Sequence, residues 1–117
     1  MVQLIRNGNN TACCFEVVND GAAIGIIEWK AFWDGMPYLS LLKIRPEYQG
    51  KGLGRQALTL LEGQLKNQGN KALLTSTRAD EQAQHFYRAL GYKECGCPVL
   101  DNTPLSQPIE IFFIKTL

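Results

Sequence analysis

The sequence lacks an excess of charge of either sign. Twelve lysine and arginine residues stand against eleven aspartate and glutamate residues, and no basic tail or acidic block interrupts their even spread. Nucleic acids and membrane surfaces are bound through concentrated basic patches, so neither is an expected partner. Any anion-binding site in this chain must therefore be local.

Long hydrophobic runs are also missing. The apolar segments are much shorter than a membrane-spanning helix, and the N-terminal stretch MVQLIRNGNN has no apolar signal region followed by a cleavage site. These two features predict a cytoplasmic protein that does not enter a membrane.

Metal-binding residue types are scarce. His85 is the one histidine, and the four cysteines occur as Cys13-Cys14 and Cys95-Gly96-Cys97. These spacings match neither a zinc finger nor a CxxC redox pair, so we expect no metal and interpret the cysteines as reduced and partly buried. A thiol-dependent or metal-dependent enzyme is the least favoured function class.

What the chain does contain is the pattern of one compact domain spanning residues 1–117. Segments rich in β-branched and aromatic residues, separated by turn residues, predict an antiparallel meander. The predicted strands are residues 2–6, 12–18, 23–33 and 38–45, with later strands at 72–77, 92–96 and 110–115.

Two helices interrupt this strand pattern. The first has an apolar stripe and ends near Gln68-Gly69-Asn70, leaving Glu62 on the solvated side. Its stripe is formed by Leu53, Ala57, Leu60, Leu61 and Leu65. The second helix is predicted from Asp80 to Leu90, and the strand between the helices is expected to lie parallel to a neighbour. The fold class is therefore α+β, with a mixed sheet.

The stretch QGKGLG, Gln49 to Gly54, joins a predicted strand to the first helix. Glycines at a helix N-terminus let a phosphate approach free backbone N–H groups, although they also suit a simple tight turn. A dinucleotide-binding fingerprint is excluded because Arg55 stands where its third glycine would be, and the residues around Lys51 do not form a P-loop.

The pattern Gln49-x-x-Gly52-x-Gly54 resembles the acetyl-CoA diphosphate loop of the GNAT acetyltransferases. The segment STRADEQAQHFYRALGY, residues 76–92, resembles the second cofactor motif of that family. Together with the strands between them, the two motifs cover residues 39–92, about half of the chain. The resemblance implies a central, mostly antiparallel sheet with a splayed parallel strand pair and two main helices.

The resemblance also implies which residues hold acetyl-CoA. The diphosphate is expected on the backbone amides of the glycine stretch, with basic side chains at its rim, and the pantetheine arm on the backbone of the preceding strand. The expected cofactor-binding residues are Leu42, Lys43, Ile44, Gln49, Gly50, Lys51, Gly52, Leu53, Gly54, Arg55 and Phe86.

Tyr87 matches the family position whose phenol protonates the departing thiolate, although a purely structural role in the core also fits its place on the apolar stripe. Glu28 is the preferred general base, with a chain of water molecules as the alternative. At Asp80, where the family often has asparagine, we expect a helix cap. His85 is expected to be exposed.

Trp29, Trp33 and Tyr38 are candidates for an acceptor pocket or for the core, and strand alternation predicts that the two tryptophans share a face. The family usually carries helices between its first two strands, where this chain has only a short turn at residues 7–11. The acceptor site is therefore expected to be open, or completed by a second subunit through the C-terminal strand EIFFIKTL of a homodimer.

The resulting functional prediction is an N-acetyltransferase. It would transfer an acetyl group from acetyl-CoA to a primary amine of a small molecule or protein, by direct attack in a ternary complex. The alternative is an acyl-CoA-binding module without efficient catalysis. The sequence does not identify the amine.

Overall fold

A computed structural model describes residues 1–6, 13–97 and 109–117, which form one seven-stranded mixed sheet and two helices. The strands are β1 (Val2–Arg6), β2 (Cys14–Asn19), β3 (Ala22–Ala31), β4 (Pro37–Ile44), β5 (Ala72–Arg78), β6 (Lys93–Gly96) and β7 (Glu110–Thr116). The helices are α1 (Leu53–Asn67) and α2 (Ala83–Ala89). The predicted α+β class is confirmed, whereas the predicted turn at residues 7–11 lies outside the described residues.

The strands are arranged in the order β1-β2-β3-β4-β5-β7-β6, and every neighbouring pair is antiparallel except β4 and β5. This parallel pair arises because α1 carries the chain from the end of β4 back to the start of β5. Strand β7 pairs with both β5 and β6. The prediction that this strand pairs across a dimer is therefore wrong, since both of its edges are used within the chain; the dimer itself stays a prediction.

Strand β4 leaves its parallel neighbour soon after the two meet. Only Tyr38 and Leu39 pair with β5. The register between β3 and β4 shifts at this point, where Glu28 faces Leu41 and the next residue, Trp29, faces Leu39. Ser40 is thus an extra residue in β4, a bulge that bends the strand. The predicted splay is confirmed, and it leaves the β5-facing edge of β4 open beyond the bulge.

Helix α1 buries one face against the sheet. Its buried residues are Leu53, Ala57, Leu58, Leu61 and Leu65. The predicted stripe included Leu60, which is 40% exposed, and omitted Leu58, which is fully buried. At 3.6 residues per turn, both leucines lie about 80° from the centre of the stripe, on opposite flanks. Helical periodicity therefore does not distinguish Leu58 from Leu60. The packing of α1 against β1 and β4 decides which of the two is buried.

Glu62 is not on a solvated face, as the sequence had predicted. Its side chain is only 12% exposed and accepts a hydrogen bond from the Tyr92 hydroxyl at 2.6 Å. Lys115 Nζ on β7 lies 3.1 Å from its second carboxylate oxygen. The carboxylate therefore links α1 to two later segments of the chain, and both of its oxygens have partners.

Helix α2 is shorter than the predicted helix from Asp80 to Leu90. The Asp80 carboxylate forms a bidentate pair with the Arg78 guanidinium, at 2.8 and 3.1 Å, and caps no helix. The helix starts three residues later at Ala83, and its N-cap residue Gln82 makes no side-chain cap bond. The expectation of an Asp80 cap is wrong because the neighbouring arginine is a stronger partner than the helix amides.

The two tryptophans do not share a face. Strand β3 ends at Ala31, and Asp34 takes a left-handed conformation within a short 3-10 turn, so the alternation does not extend to Trp33. Trp29 packs against the core, whereas Trp33 is 70% exposed. Strand alternation predicts faces only while the strand continues.

Candidate active site

The glycine stretch forms a turn that requires glycine. Gly50 and Gly52 have φ angles of +77° and +78°, a left-handed conformation that costs other residue types about 1 kcal/mol or more. Gly52 is the N-cap residue of α1 and makes no side-chain cap bond. The turn thus leads directly into α1, and because its N-cap residue is glycine, no N-cap side chain covers the helix N-terminus.

Several backbone amides at this turn have no protein acceptor. The first hydrogen bond of α1 runs from Gln56 N–H to Gly52 O at 3.1 Å. Within the described residues, the N–H groups from Gly50 to Arg55 donate to no protein atom. The first turn also contains no acidic residue. Free donors and the positive end of the helix dipole therefore coincide here, which suits an anion.

The predicted amide of Gln49 is engaged elsewhere. Its N–H donates to Pro46 O at 3.2 Å, and its side-chain Nε2 donates to Ile44 O at 2.7 Å. Gln49 thus ties the turn to the end of β4, and the donors open to a ligand begin one residue later. Its side chain holds the loop in place, a role that the sequence pattern did not indicate.

A cavity of about 570 Å³ opens in front of these amides. It lies between the glycine turn, the end of β4 and helix α2. Its lining includes Leu42, Ile44, Tyr48, Gln49, Gly50, Gly52, Leu53, Gly54, Arg55, Ala83, Phe86, Tyr87, Ala89 and Leu90. Most of the predicted cofactor-binding residues are therefore brought to one cavity, which we call the amide cavity.

Gly54 and Phe86 lie close to each other in the lining of this cavity. A Cβ atom at Gly54 would lie 3.5 Å from Ile44 and 3.8 Å from the Phe86 ring. Phe86 meets Tyr87 edge-on, with ring centroids 5.2 Å apart. The two aromatic residues thus form the α2 side of the cavity and oppose the first turn of α1.

Two predicted residues lie at the margins. Lys51 is exposed and its Nζ lies 5.9 Å from the Tyr48 ring centroid, next to the turn but outside the lining. Lys43 is exposed and does not line the cavity, whereas its neighbours Leu42 and Ile44 do. Strand alternation explains this, since a ligand on the backbone of Lys43 would meet its peptide groups and not its side chain.

A second cavity of about 240 Å³ lies where β4 and β5 separate. Its lining residues are Leu39, Ser40, Leu41, Leu42, Thr75, Ser76, Thr77, Glu81, Ala83, Tyr87 and Glu110. We call it the splay cavity. It shares Leu42, Ala83 and Tyr87 with the amide cavity, so the Tyr87 side chain borders both spaces.

Tyr87 is buried, with 8% of its surface exposed. Burial raises the pKa of its phenol, a side-chain hydrogen bond with Thr75 acts in the opposite direction, and Tyr38 adds to the rise. Thr75 in turn donates to Leu39 O at 3.1 Å. The phenol therefore keeps its proton at neutral pH and stands at the junction of the cavities, in the state required of a proton donor.

Alkaline pH is expected to weaken the fold through this group. Burial also raises the pKa of Tyr92, so both phenols stay protonated in the folded state above the pH, near 10, at which an unfolded chain loses these protons. Below about pH 10 the two protonated phenols contribute fully to the stability of the fold. Above that pH the unfolded chain loses these protons while the folded protein keeps them, so each tyrosine lowers the free energy of unfolding by about 1.4 kcal/mol per pH unit.

Urea unfolding at about pH 9 and about pH 11 checks this expectation, since those values lie on either side of the unfolded tyrosine pKa. The loss of stability should be smaller in Tyr87→Phe than in the parent protein. Equal losses in the two proteins would contradict the assignment.

Glu28 lines neither cavity. Its carboxylate accepts a hydrogen bond from Ser40 Oγ at 2.9 Å, and Lys30 Nζ lies 3.9 Å away. Ser40 is the bulge residue and does line the splay cavity. Glu28 can therefore exchange a proton with a group in that cavity only through Ser40 or water. Its role as a base stays a prediction.

The splay cavity contains polar residues that the sequence patterns did not identify. Thr75 and Thr77 alternate along β5 and so point to the same side. Glu81 was assigned to the first turn of a helix that in fact starts later. Glu110 comes from the far end of the sequence, and the antiparallel register places it opposite Arg78. The alternation of Thr75 and Thr77 could have predicted a polar face of β5 from the sequence. The proximity of Glu81 and Glu110 to the same cavity could not be predicted, because the two residues are distant in sequence.

The remaining candidates lie outside both cavities. Trp29, Trp33 and Tyr38 line neither of them, although Tyr38 makes a 2.6 Å hydrogen bond to Ser76. His85 is exposed, as predicted. Asp80 is paired with Arg78 and lines neither cavity.

No group of three potential metal ligands occurs among residues 1–6, 13–97 and 109–117. All four cysteines are free. Cys14 is buried, but Cys95 and Cys97 are exposed, so the expectation of partial burial holds only for the first pair. In the part of the chain that the structure describes, neither helix is long and apolar enough to cross a membrane.

Comparison with known proteins places these features in a family. The sequence model described as the acetyltransferase (GNAT) family matches residues 2–92, well over half of the chain. A search of curated proteins found none that matches.

Solved structures share the fold. An acetyltransferase from Bacillus anthracis str. Ames, in complex with acetyl coenzyme A, is 19% identical, with a TM-score of 0.80 over 92% of this chain and 65% of that one. A GNAT family acetyltransferase from Elizabethkingia anophelis with acetyl-CoA bound is 19% identical, with a TM-score of 0.77 over 89% and 75%.

The ribosomal-protein-S18-alanine N-acetyltransferase from Escherichia coli is 24% identical, with a TM-score of 0.72 over 88% of this chain and 67% of that one. The chain thus spans less than two thirds of the Bacillus anthracis protein. The predicted fold, with its mixed sheet and splayed parallel pair, agrees with these structures.

Proposed function

The chain belongs to the acetyltransferase (GNAT) family, and we propose on that premise that it transfers an acetyl group from acetyl-CoA to a primary amine. The amine belongs to a small molecule or to a protein. Two of the structures with the same fold were solved with acetyl-CoA, and the amide cavity of this chain offers free backbone donors to such a ligand.

The observation that carries the proposal is the set of free amides at the mouth of the amide cavity. The N–H groups from Gly50 to Arg55 would receive the diphosphate, because they are concentrated donors at a positive helix end. The open edge of β4 beyond Ser40 would pair with the pantetheine amides as an added strand.

Acetyl-CoA supplies the thioester whose carbonyl carbon forms a bond to the amine nitrogen while its bond to sulfur breaks. The leaving sulfur takes a proton, and the amine nitrogen gives one up. Tyr87 is suited to the first transfer, since its protonated phenol borders both cavities. Water in the splay cavity, reached by Glu28 through Ser40, would accept the second proton.

Direct transfer within a ternary complex is favoured over a covalent enzyme intermediate. No cysteine lines either cavity in the described part of the chain, and the hydroxyls of Ser40, Thr75 and Thr77 have no histidine beside them among the lining residues. The threonine hydroxyls have no base beside them and are poor nucleophiles, and the Glu28 carboxylate that accepts from Ser40 Oγ belongs to a class of weaker base than the imidazole that activates serine nucleophiles. The two cavities also share a border, so both substrates can be bound at once.

Thermal unfolding with acetyl-CoA tests the cofactor site. A ligand at 100 times its dissociation constant stabilises the folded state by about 2.7 kcal/mol, which corresponds to a Tm increase of about 10 °C for a chain of this size. Gly52→Glu should abolish this increase, because a carboxylate would stand in front of the free amides and repel the diphosphate.

Gly35→Glu is the matched control. Gly35 has a φ angle of +81°, close to that of Gly52, and a Cβ atom at either position meets no atom within 4 Å. Both variants therefore carry the same backbone strain and the same added charge, but Gly35 lines neither cavity. If both variants respond to acetyl-CoA like the parent protein, the amides are not its binding site.

A further inference from the structure

Gly25 in β3 lies so close to β4 that the space beside it admits no side chain. A Cβ atom at this position would overlap Lys43 O and would lie 3.0 Å from Ile44 Cδ1 and 3.1 Å from Ile44 Cα. Non-bonded carbon atoms pack best at about 3.5–4.0 Å, so a methyl group here would displace the neighbouring strand. Two of these three atoms belong to the backbone, and no change of rotamer could make room for the methyl group. Gly25 therefore sets how closely the end of β4 lies against β3.

A bulge in β3 immediately precedes this close contact. The register with β2 shifts between Val17 and Val18, and Ile24 is the extra residue of β3. Ile24 is fully buried, and its carbonyl accepts a hydrogen bond from Arg45 N–H at 2.8 Å. A bulge bends its strand and increases the local twist. The bulge and the missing side chain at Gly25 thus act together to hold the end of β4 close to β3.

Ile44 connects this contact to the amide cavity. Its side chain lies beside Gly25 and also lines the cavity, where a Cβ atom at Gly54 would lie 3.5 Å from Ile44 Cγ1. The carbonyl of Ile44 accepts a hydrogen bond from Gln49 Nε2 at 2.7 Å. Ile44 therefore lies next to β3, the glycine turn and the first turn of α1 at once.

The two ligand-binding features of the proposed cofactor site lie on either side of this contact. The open edge of β4, which would hold the pantetheine arm, ends at Ile44, and the free amides that would hold the diphosphate begin at Gly50. Helix α1 packs against β1 as well as β4, so the amides at its start would not simply follow a displaced β4. In CoA the arm and the diphosphate are covalently joined, so both bind at full strength only when the protein holds its two features at the matching separation.

We infer that Gly25 is a positioning residue for acetyl-CoA. The absence of a side chain at Gly25 lets the end of β4 lie at the separation from the free amides that the pantetheine arm and the diphosphate require together. This inference rests on the proposed function and deepens it. Gly25 lines neither cavity, so its substitution should weaken binding of the intact cofactor without removing a group that contacts either half of it.

Binding of CoA and of its two halves tests the inference. CoA, adenosine 3′-phosphate 5′-diphosphate and pantetheine are each titrated calorimetrically into the parent protein and into Gly25→Ala, after circular dichroism has established that the variant is folded. CoA should bind at least about tenfold more weakly to the variant, because its halves can no longer both engage fully at once. Each half alone should bind to the two proteins with affinities within about twofold of each other, because it needs only its own part of the site.

Two further variants complete the experiment. Leu58→Ala is the control for general destabilisation, because Leu58 is fully buried but lines neither cavity, and it should bind CoA like the parent protein. Ile44→Val is a milder change at the contact with Gly25, and it decides the question if Gly25→Ala does not fold. It removes Cδ1, the side-chain atom nearest to Gly25, and should weaken CoA binding by about threefold while leaving each half unchanged.

A loss confined to intact CoA in Gly25→Ala, or in Ile44→Val where Gly25→Ala does not fold, would support the assignment. The inference would be overturned if the folded variant bound CoA like the parent protein, if the halves were weakened as much as CoA, or if Leu58→Ala produced the same loss. Failure of the proposed function is seen separately, in the parent protein alone. A parent protein that binds no CoA would overturn the proposed function and the inference together, whereas one that binds CoA leaves the proposed cofactor site intact whatever the variants show.

Discussion

Replacing Tyr87 with phenylalanine is expected to lower kcat for acetyl transfer by about 100-fold or more, the usual contribution of a positioned general acid. The phenol is protonated, buried and shared by both cavities, and the substitution removes one oxygen atom without changing the ring. The Tm increase produced by acetyl-CoA should remain, because the free amides of the glycine turn are untouched. Steady-state kinetics with an amine that the parent protein acetylates, together with thermal unfolding, measures both quantities.

Tyr92→Phe is the matched control for this experiment. Tyr92 is a second buried tyrosine whose ring meets that of Tyr87 edge-on at 5.5 Å, but it lines neither cavity. Its hydroxyl donates to Glu62, so its loss should reduce stability modestly and leave kcat unchanged. If Tyr87→Phe retains full kcat, the phenol is not the acid. If the parent protein binds acetyl-CoA but acetylates no amine, the chain is an acyl-CoA-binding module.

Replacing Leu58 with alanine is expected to lower the free energy of unfolding by about 2–5 kcal/mol, as for other buried leucines. Leu58 belongs to α1 and is fully buried, in the cluster that contains Leu61 and Phe113. The lost methyl groups would leave a cavity in a close-packed interior. Urea unfolding measures the change, which is large compared with the total stability of a domain of this size.

Leu60→Ala provides the comparison, since it makes the same substitution in the same helix at a residue that is 40% exposed. The change in helix propensity is identical, so any difference between the variants reports tertiary packing alone. We expect Leu60→Ala to alter stability by less than about 1 kcal/mol. Equal effects of the two substitutions would mean that α1 is rotated from the orientation described.

Much of this protein could be predicted from local patterns. The strand segments, the extent of α1 and the glycine turn before it follow from alternation, helical periodicity and the special conformations of glycine. Even the parallel pairing of β4 with β5 follows from the helix between them. The amide cavity forms directly from these local elements, because its free donors are a property of the helix N-terminus itself.

Other features depended on neighbours that are distant in sequence. The start of α2 was displaced by the pair between Arg78 and Asp80, and the Glu62 carboxylate found partners 30 and 53 residues away. The spacing of apolar residues along the sequence predicts neither the start of α2 nor the partners of Glu62. A short-range pattern specifies which conformation a segment prefers, but competing partners decide where the segment ends.

The sequence by itself therefore determined the family, the fold class and the glycine turn with its free amides, because these follow from local patterns read along successive segments. Only the tertiary structure decided which flank of α1 is buried, since Leu58 and Leu60 are equivalent by periodicity and packing distinguishes them. It alone also assembled the splay cavity. Glu81 and Glu110 meet there because β7 pairs antiparallel with β5, a contact between segments whose adjacency no local pattern encodes.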